Sequence, residues 1–116
     1  MQRISSTYFG LASGHVALFD HYESASDMYA GLGPRSAQAF VTFETPFLEP
    51  PRVILSVSLI DKDTETPYRL GIDPRAITET GFTAEARTWG DTRIARLSLN
   101  WTAIGAVADP DEAWDV

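Results

Sequence analysis

The segment "EARTWGDTRIARLSLNWTAIG" (residues 85–105) predicts one strand, a tight turn and a second strand. Side chains in a strand alternate between its two faces. One face of the first strand therefore carries apolar side chains, namely Phe82, Ala84 and Ala86. The other face carries Thr83, Glu85, Arg87 and Trp89. Trp89 thus shares a face with charged residues beside a Gly-Asp turn, which predicts that its indole meets something outside its own hydrophobic core.

The rest of the chain also carries strand patterns. Residues 1–20 supply one early strand, and residues 20–36 form a long loop with at most a short helical turn at 24–29. Three further stretches alternate as strands do, namely "QAFVTFETPF" (38–47), "PPRVILSVSLID" (50–61) and "YRLGID" (68–73), before a connection at 74–81. Short strands spaced by roughly ten residues are typical of an antiparallel β-sandwich or small barrel. We predict an all-β fold.

Size and composition favour one domain. The chain has 116 residues, of which 44% are hydrophobic and 22% charged, as in ordinary globular domains. The organisation we expect is an N-terminal strand and loop region at 1–36, a β-sandwich at 37–105 and an acidic tail at 106–116. The tail carries Asp109, Asp111, Glu112 and Asp115 around Pro110 and Trp114.

Charge and cysteine content exclude several classes of function. The net charge of −7 repels phosphate backbones and anionic lipids, so neither nucleic-acid binding nor membrane insertion is expected. The absence of cysteine excludes disulfides and thiolate metal sites. The first residues, "MQRISSTYFGLASGHVALF", contain no continuous apolar run, so we expect no cleaved signal peptide and another route to an extracellular or particle surface.

Catalytic and metal-binding signals are weak. His15 and His21 lie near no nucleophile motif, so we predict no enzyme and no cofactor. The stretch "DKDTETPYRLGI" (61–72) begins like a calcium loop, but Thr66 and Ile72 stand where such a loop needs Gly and Glu. A solvated acidic turn is the alternative that we favour. The sequon at Asn100 lies within a strand, where an unmodified, sheet-buried Asn is expected.

Two interpretations of Trp89 are open on these grounds. The indole has a structural role, packed over the sheet edge, beneath the N-terminal loop or in a protein interface, or it is a platform for a small ligand. As a platform, its face suits the C–H face of a sugar ring. Arg69, on the polar side of its own strand, then supplies guanidinium donors to the hydroxyls.

The ordered elements "VTFETPFLEPPRVILSVSLID", "YRL" and "ITETGFTAEARTWGDTRIARLSLNWTAIG" resemble the H-type lectin domain, a family that includes snail agglutinins and the C-terminal domains of slime-mould discoidins. The resemblance covers residues 40–105. It implies a six-stranded antiparallel β-sandwich that assembles as a homotrimer, or as a hexamer of paired trimers. It also implies non-catalytic binding of galactose or N-acetylgalactosamine-type sugars at the clefts between subunits.

The resemblance also implies a set of site residues. The sugar-contacting arginine and tryptophan of the family correspond to Arg69 and Trp89, and the residue after the tryptophan corresponds to Gly90. This chain departs from the snail lectin where an imidazole becomes Gly90, a pocket-closing aromatic becomes Ala95, and an acidic loop residue becomes Leu32. Asp27 and Asp91 are the candidates to replace that acid. These departures imply either weaker binding or a different sugar, including those of bacterial surface polysaccharides.

We therefore predict an oligomeric carbohydrate-binding lectin. The alternative is a structural or adhesive subunit of a phage-like spike or fibre, docked into a larger particle through the acidic C-terminal tail. Both hypotheses include surface recognition without catalysis. They differ in whether a free oligomer or an assembled particle presents the domain.

Overall fold

A computed structural model of the chain describes residues 8–109, and these form an antiparallel β-sandwich. The strands are β1 (Phe9–Asp20), β2 (Arg35–Thr42), β3 (Arg52–Lys62), β4 (Gly71–Arg75), β5 (Gly81–Thr88) and β6 (Ile94–Ala106), and one short helix, α1 (Asp27–Ala30), lies between β1 and β2. The all-β prediction is confirmed. The acidic tail beyond Asp109 lies outside the described residues.

The six strands form two sheets of three. One sheet has the order β1–β6–β3 and the other β2–β5–β4, and all the pairings are antiparallel. The consecutive strands β5 and β6 therefore belong to different sheets. The turn predicted between them is present at Gly90–Asp91, but it carries the chain across the sandwich instead of closing a hairpin.

The core lies where the inner faces of β5 and β6 meet. Phe82, Ala84 and Ala86 of β5 are buried, as the alternation predicts. Leu97, Leu99 and Ala103 of β6 are also buried and belong to the same apolar cluster. Each fully buried leucine contributes about 1.5–3 kcal/mol relative to an exposed one.

An aromatic cluster fills one end of the sandwich. The ring of Phe43 lies 5.1 Å from that of Phe47, 5.9 Å from Phe82 and 5.7 Å from Trp101. Gly14 makes room for the indole of Trp101, because a Cβ there would lie 2.7 Å from its Nε1. The prediction that Trp101 faces the core is therefore correct. Asn100, its neighbour on the opposite face, is exposed, and the prediction of a sheet-buried Asn is wrong.

Strand β4 begins and ends later than the sequence predicted. Tyr68–Leu70 precede it, and Pro74 and Arg75, predicted to lie in the connection, belong to it. Pro74 is tolerated because β4 is an edge strand, where the missing N–H costs no ladder hydrogen bond. The segment before β4 is held by side chains: Thr88 Oγ1 donates to the carbonyl of Arg69 at 2.5 Å.

The loop between β1 and β2 contains the predicted helical turn, now placed at Asp27–Ala30. Ser26 caps it by accepting from the N–H of Met28 at 3.2 Å. His21 has a structural role here, because its Nδ1 accepts from the N–H of Ser26 at 3.0 Å and its ring stacks on Tyr29 at 4.7 Å. Within residues 8–109, no helix is long and apolar enough to cross a membrane.

Candidate functional site

Trp89 lies immediately after β5, at the end of the sandwich where the chain crosses between the sheets. Its side chain is 45% exposed. Burial changes abruptly at this point, because the preceding Thr88 is 1% exposed and bonds to the segment before β4. Trp89 thus follows a well-anchored strand end, and much of its side-chain surface remains accessible to a ligand or a partner protein.

Arg69 is held beside this strand end by the turn that follows Trp89. Its Nη1 donates to Oδ1 of Asp91 at 2.7 Å and to Oγ1 of Thr92 at 3.1 Å. Thr92 is fully buried, and its hydroxyl in turn donates to the carbonyl of Pro67 at 2.7 Å. These bonds fix the guanidinium from both its own segment and the facing turn.

Gly90 provides the space that the guanidinium occupies. Its φ of +67° lies in the left-handed region, which favours glycine. A Cβ at this position would lie 2.8 Å from Nη1 of Arg69 and 3.0 Å from its Cζ. A side chain at position 90 therefore competes with the observed position of Arg69.

The ion pair between Arg69 and Asp91 is partly exposed to solvent. The hydrogen bond from Arg69 lowers the pKa of Asp91 below its usual value of 3.8, and this effect exceeds the opposing effect of desolvation. Asp91 is therefore a carboxylate at neutral pH, with one oxygen committed to the arginine. The pair orients a donor group beside an acceptor group at the surface next to Trp89.

Arg35, which was not among the predicted site residues, connects Asp27 to the turn after Trp89. Arg35 donates from Nη1 to the carbonyl of Asp27 at 3.0 Å and from Nη2 to the carbonyl of Gly90 at 3.0 Å. Its Nε donates to the carbonyl of Gly33 at 2.8 Å. One guanidinium thus ties the start of α1 to the turn after Trp89. No motif in the sequence marks this role, because the acceptors are backbone carbonyls.

Ala95 and Leu32, the other two positions at which the chain departs from the snail lectin, differ in burial. Ala95 is buried, and its carbonyl accepts from the N–H of His21 at 2.7 Å. Leu32 is exposed on the loop that follows α1. Arg69, Gly90 and Asp91 are therefore in direct contact, with Trp89 as their chain neighbour, whereas Ala95 lies in the interior.

The acidic stretch at 61–66 forms internal ion pairs. Lys62, whose side chain is 1% exposed, donates from Nζ to Oδ1 of Asp63 at 3.1 Å and to the carbonyl of Thr66. The pKa of Asp63 is lowered chiefly by the hydrogen bond from Thr66 and also by that from Lys62. Asp61 pairs with Arg96 at 3.2 Å. Over the described range 8–109, no group of three or more His, Asp or Glu side chains is arranged to hold a metal.

A crevice of about 320 Å³ adjoins Trp89 on the side of β2. Its lining residues are Pro34, Arg35, Ser36, Arg87, Thr88 and Trp89. The side chain of Arg87 packs over Gly71, where an added Cβ would lie 2.6 Å from Nη2 of Arg87. The same Nη2 donates to Oδ2 of Asp73 at 2.6 Å. Trp89 therefore has an Arg69–Asp91 pair near its turn and a separate arginine-lined crevice near β2.

An exposed tryptophan and a braced arginine lie at the same end of a six-stranded antiparallel sandwich, and an aromatic side chain with a few polar groups is typical of small-ligand sites. The chain belongs to the H-type lectin domain family: the model of that family matches residues 38–104. The resemblance inferred from the sequence is confirmed.

Relatives of this chain come from Fuscovulum blasticum and Dictyostelium discoideum. It is 41% identical over 107 residues to "ATP synthase subunits region ORF 7" of Fuscovulum blasticum, and the match covers 92% of each chain. It is 32% identical over 74 residues to a discoidin-1 chain of Dictyostelium discoideum, covering 63% of this chain and 29% of that one.

The fold is also that of discoidin II from Dictyostelium discoideum, with a TM-score of 0.75 at 24% sequence identity. The superposition covers 90% of this chain and 40% of discoidin II. The chain thus spans less than half the length of either discoidin that it matches.

Proposed function

We propose that this protein is a non-catalytic carbohydrate-binding lectin and that Trp89, Arg69, Gly90 and Asp91 form its sugar site. The observation that carries the proposal is the exposed indole of Trp89 two residues before Asp91, whose carboxylate is paired with Arg69. Membership of the H-type lectin domain family supports it.

The chemistry of the ion pair suits a sugar with neighbouring hydroxyls. Only Nη1 of Arg69 has a side-chain or backbone acceptor within residues 8–109, so Nη2 and Nε remain available as donors. Oδ2 of Asp91 remains available as an acceptor. One hydroxyl that accepts from Arg69 and a neighbouring hydroxyl that donates to Asp91 satisfy both groups, while the indole covers the apolar face of the ring.

The proposed ligand is a galactose-type sugar, either free or within a surface polysaccharide. Gly90 stands where the snail lectin carries an imidazole, so the site makes one contact fewer and depends more on the arginine and the indole. Arg35 donates to the backbone carbonyls of both Asp27 and Gly90, so Asp27 contributes to the proposed site by its position next to Gly90.

The decisive experiment is binding of galactose, N-acetylgalactosamine and glucose to the protein and to Trp89→Ala, measured by titration calorimetry and on a glycan array. We expect Trp89→Ala to weaken binding by about tenfold or more, which corresponds to about 1.4 kcal/mol. Phe40→Ala is the matched control, because Phe40 is an aromatic residue, 81% exposed, in the middle of β2. A folded protein that binds none of the arrayed glycans contradicts the proposal.

We also propose that the domain self-assembles, as a trimer or a pair of trimers, through the outer face of the β1–β6–β3 sheet. That face carries exposed apolar side chains, among them Phe9, Leu11 and Ile54. The outer face of the β2–β5–β4 sheet instead carries the paired charges Asp73, Arg75, Glu85 and Arg87. Docking of the domain in a phage-like particle through its tail remains the alternative context for the same binding activity.

A further inference from the structure

The crevice between Trp89 and β2 has a charge that contrasts with the rest of the chain. The protein has 16 acidic and 9 Lys and Arg residues, yet the charged side chains that line this crevice are two arginines, Arg35 and Arg87. A crevice at the loop before α1 is lined by Asp20 and Asp27, and one beside Trp101 by Glu44. The lining of the Trp89 crevice therefore contains two arginines and no carboxylate.

Arg35 brings an uncompensated positive charge to the crevice. Its guanidinium donates to the carbonyls of Asp27, Met28, Gly33 and Gly90, which carry no formal charge. Within residues 8–109 it forms no ion pair with a carboxylate. Because neutral acceptors satisfy its hydrogen bonds without cancelling its charge, Arg35 favours an anion nearby.

Arg87 adds a second guanidinium with free donors. Its Nη2 binds Asp73 at 2.6 Å and its Nε lies 3.5 Å from Glu85, while Nη1 has no partner among the residues that the structure describes. Its cross-strand neighbour is Ser36, which also lines the crevice and supplies a hydroxyl. The crevice thus combines guanidinium donors and a hydroxyl with the indole of Trp89.

We infer that this crevice binds a saccharide that carries an oxyanion, such as a uronic acid carboxylate or a sulfate ester. The ring lies on Trp89, as in the proposed sugar site, and its charged substituent reaches Arg35 and Arg87, because a planar guanidinium matches an oxyanion geometrically and electrostatically. The crevice volume of about 320 Å³ accommodates that substituent. This inference rests on the proposed carbohydrate binding and adds its ligand class.

The test compares galacturonate with galactose, which share their ring stereochemistry and differ only at C6. Each sugar is attached to agarose through its anomeric carbon at equal density, and retention of the full chain is measured. Beads with a simple carboxylate and no sugar detect ion exchange, and beads with galactose 6-sulfate distinguish a sulfate ester from a carboxylate. We expect galacturonate or galactose 6-sulfate to bind at least about tenfold more tightly than galactose, because a charge-assisted hydrogen bond contributes at least that factor.

Raising the salt concentration from about 50 mM to about 500 mM is expected to reduce this preference, because counterions screen partly exposed charges. Arg87→Gln is expected to lower the ratio of acidic to neutral sugar affinity about tenfold, and Arg87→Lys to restore part of it. Arg75→Gln is the control: it removes the same charge from the end of β4, where Arg75 pairs with Thr83 of β5 and does not line the crevice. It should leave the ratio unchanged.

The outcomes separate this inference from the proposed function. Equal binding of galactose and the acidic sugars, retention on the simple carboxylate beads, or a preference that survives in Arg87→Gln overturns the acidic-sugar inference while leaving neutral sugar binding intact. Failure of every sugar, neutral and acidic, overturns the proposed lectin function and this inference with it.

Discussion

At the scale of single residues, the pKa of Asp91 indicates whether its hydrogen bond with Arg69 is formed. The hydrogen bond from Arg69 stabilises its charged form, so its pKa in the folded protein lies below 3.8. The interaction therefore contributes to stability above that pH and is lost as the pH falls through the lowered pKa. A pH titration by NMR should give this low value, and Arg69→Gln should raise it toward 3.8. An Asp91 pKa that is the same in both proteins contradicts the described contact.

A substitution at Gly90 tests whether the Arg69 guanidinium needs the space left by the missing Cβ. Gly90→Ala introduces a left-handed alanine, which costs about 1 kcal/mol, and also places a Cβ against Arg69. Gly33→Ala is the matched control, because Gly33 has a φ of +74° and a Cβ added there would meet no atom within 4 Å. Both variants should lose similar stability in denaturant unfolding. Only Gly90→Ala should raise the Asp91 pKa and weaken sugar binding.

At the scale of secondary-structure elements, Thr92 connects the turn after β5 to the segment before β4. Thr92→Val keeps the shape of this buried side chain but removes its hydrogen bonds to Pro67 and Arg69. We expect a loss of about 1–2 kcal/mol in urea unfolding, because a hydrogen-bonded hydroxyl is replaced in a buried position. Thr42→Val, at an exposed position of β2, should change stability little. Equal effects of the two substitutions would show that the tether is unimportant.

The strands were predictable from the sequence, but their partners were not. Alternation of apolar residues specifies which face of a strand is buried, and this correctly placed Phe82, Ala84 and Ala86 in the core. The same pattern contains no information on whether consecutive strands pair, so the crossing of the chain between β5 and β6 was not foreseen. Asn100 is exposed because it alternates with the inward-facing Trp101, a consequence that the sequence analysis overlooked.

The candidate site was predictable in part for a similar reason. Trp89, Gly90 and Asp91 are consecutive, so their proximity follows from the chain, and the family resemblance supplied Arg69. Arg35 was missed because it acts on backbone carbonyls of a loop without periodicity, and only the folded chain brings Asp27 and Gly90 within its reach. The arginine-lined crevice beside Trp89 depends on the same fold.

At the scale of the whole molecule, the two outer faces of the sandwich differ in a way that bears on assembly. The β2–β5–β4 face carries arginine and carboxylate side chains that form ion pairs within one protomer. The β1–β6–β3 face exposes Leu11 and Ile54, with side chains 69% and 56% exposed, beside the uncharged Ser13 and Thr102. Apolar area with few charges is what the centre of a protein interface requires.

Ile54→Lys tests this surface, because a lysine in the centre of an apolar interface loses hydration without gaining a partner. We expect the variant to shift from the mass of a trimer to that of a monomer in light scattering at micromolar concentration. Phe40→Lys places the same side chain on the opposite outer face and should leave the mass unchanged. A wild-type protein that is monomeric at high concentration, or equal masses for the two variants, contradicts the proposed assembly face.

The same variant separates avidity from a site shared between protomers. Clustered sites raise apparent affinity for a multivalent surface by about 10²–10⁴. If the site lies within one protomer, monomeric Ile54→Lys loses only that gain and keeps the affinity for a free sugar. If the cleft between protomers completes the site, as the family resemblance implies, binding of the free sugar disappears together with the oligomer. We expect the second result, because the Arg69–Asp91 pair and half of the Trp89 surface remain open to solvent in the isolated protomer.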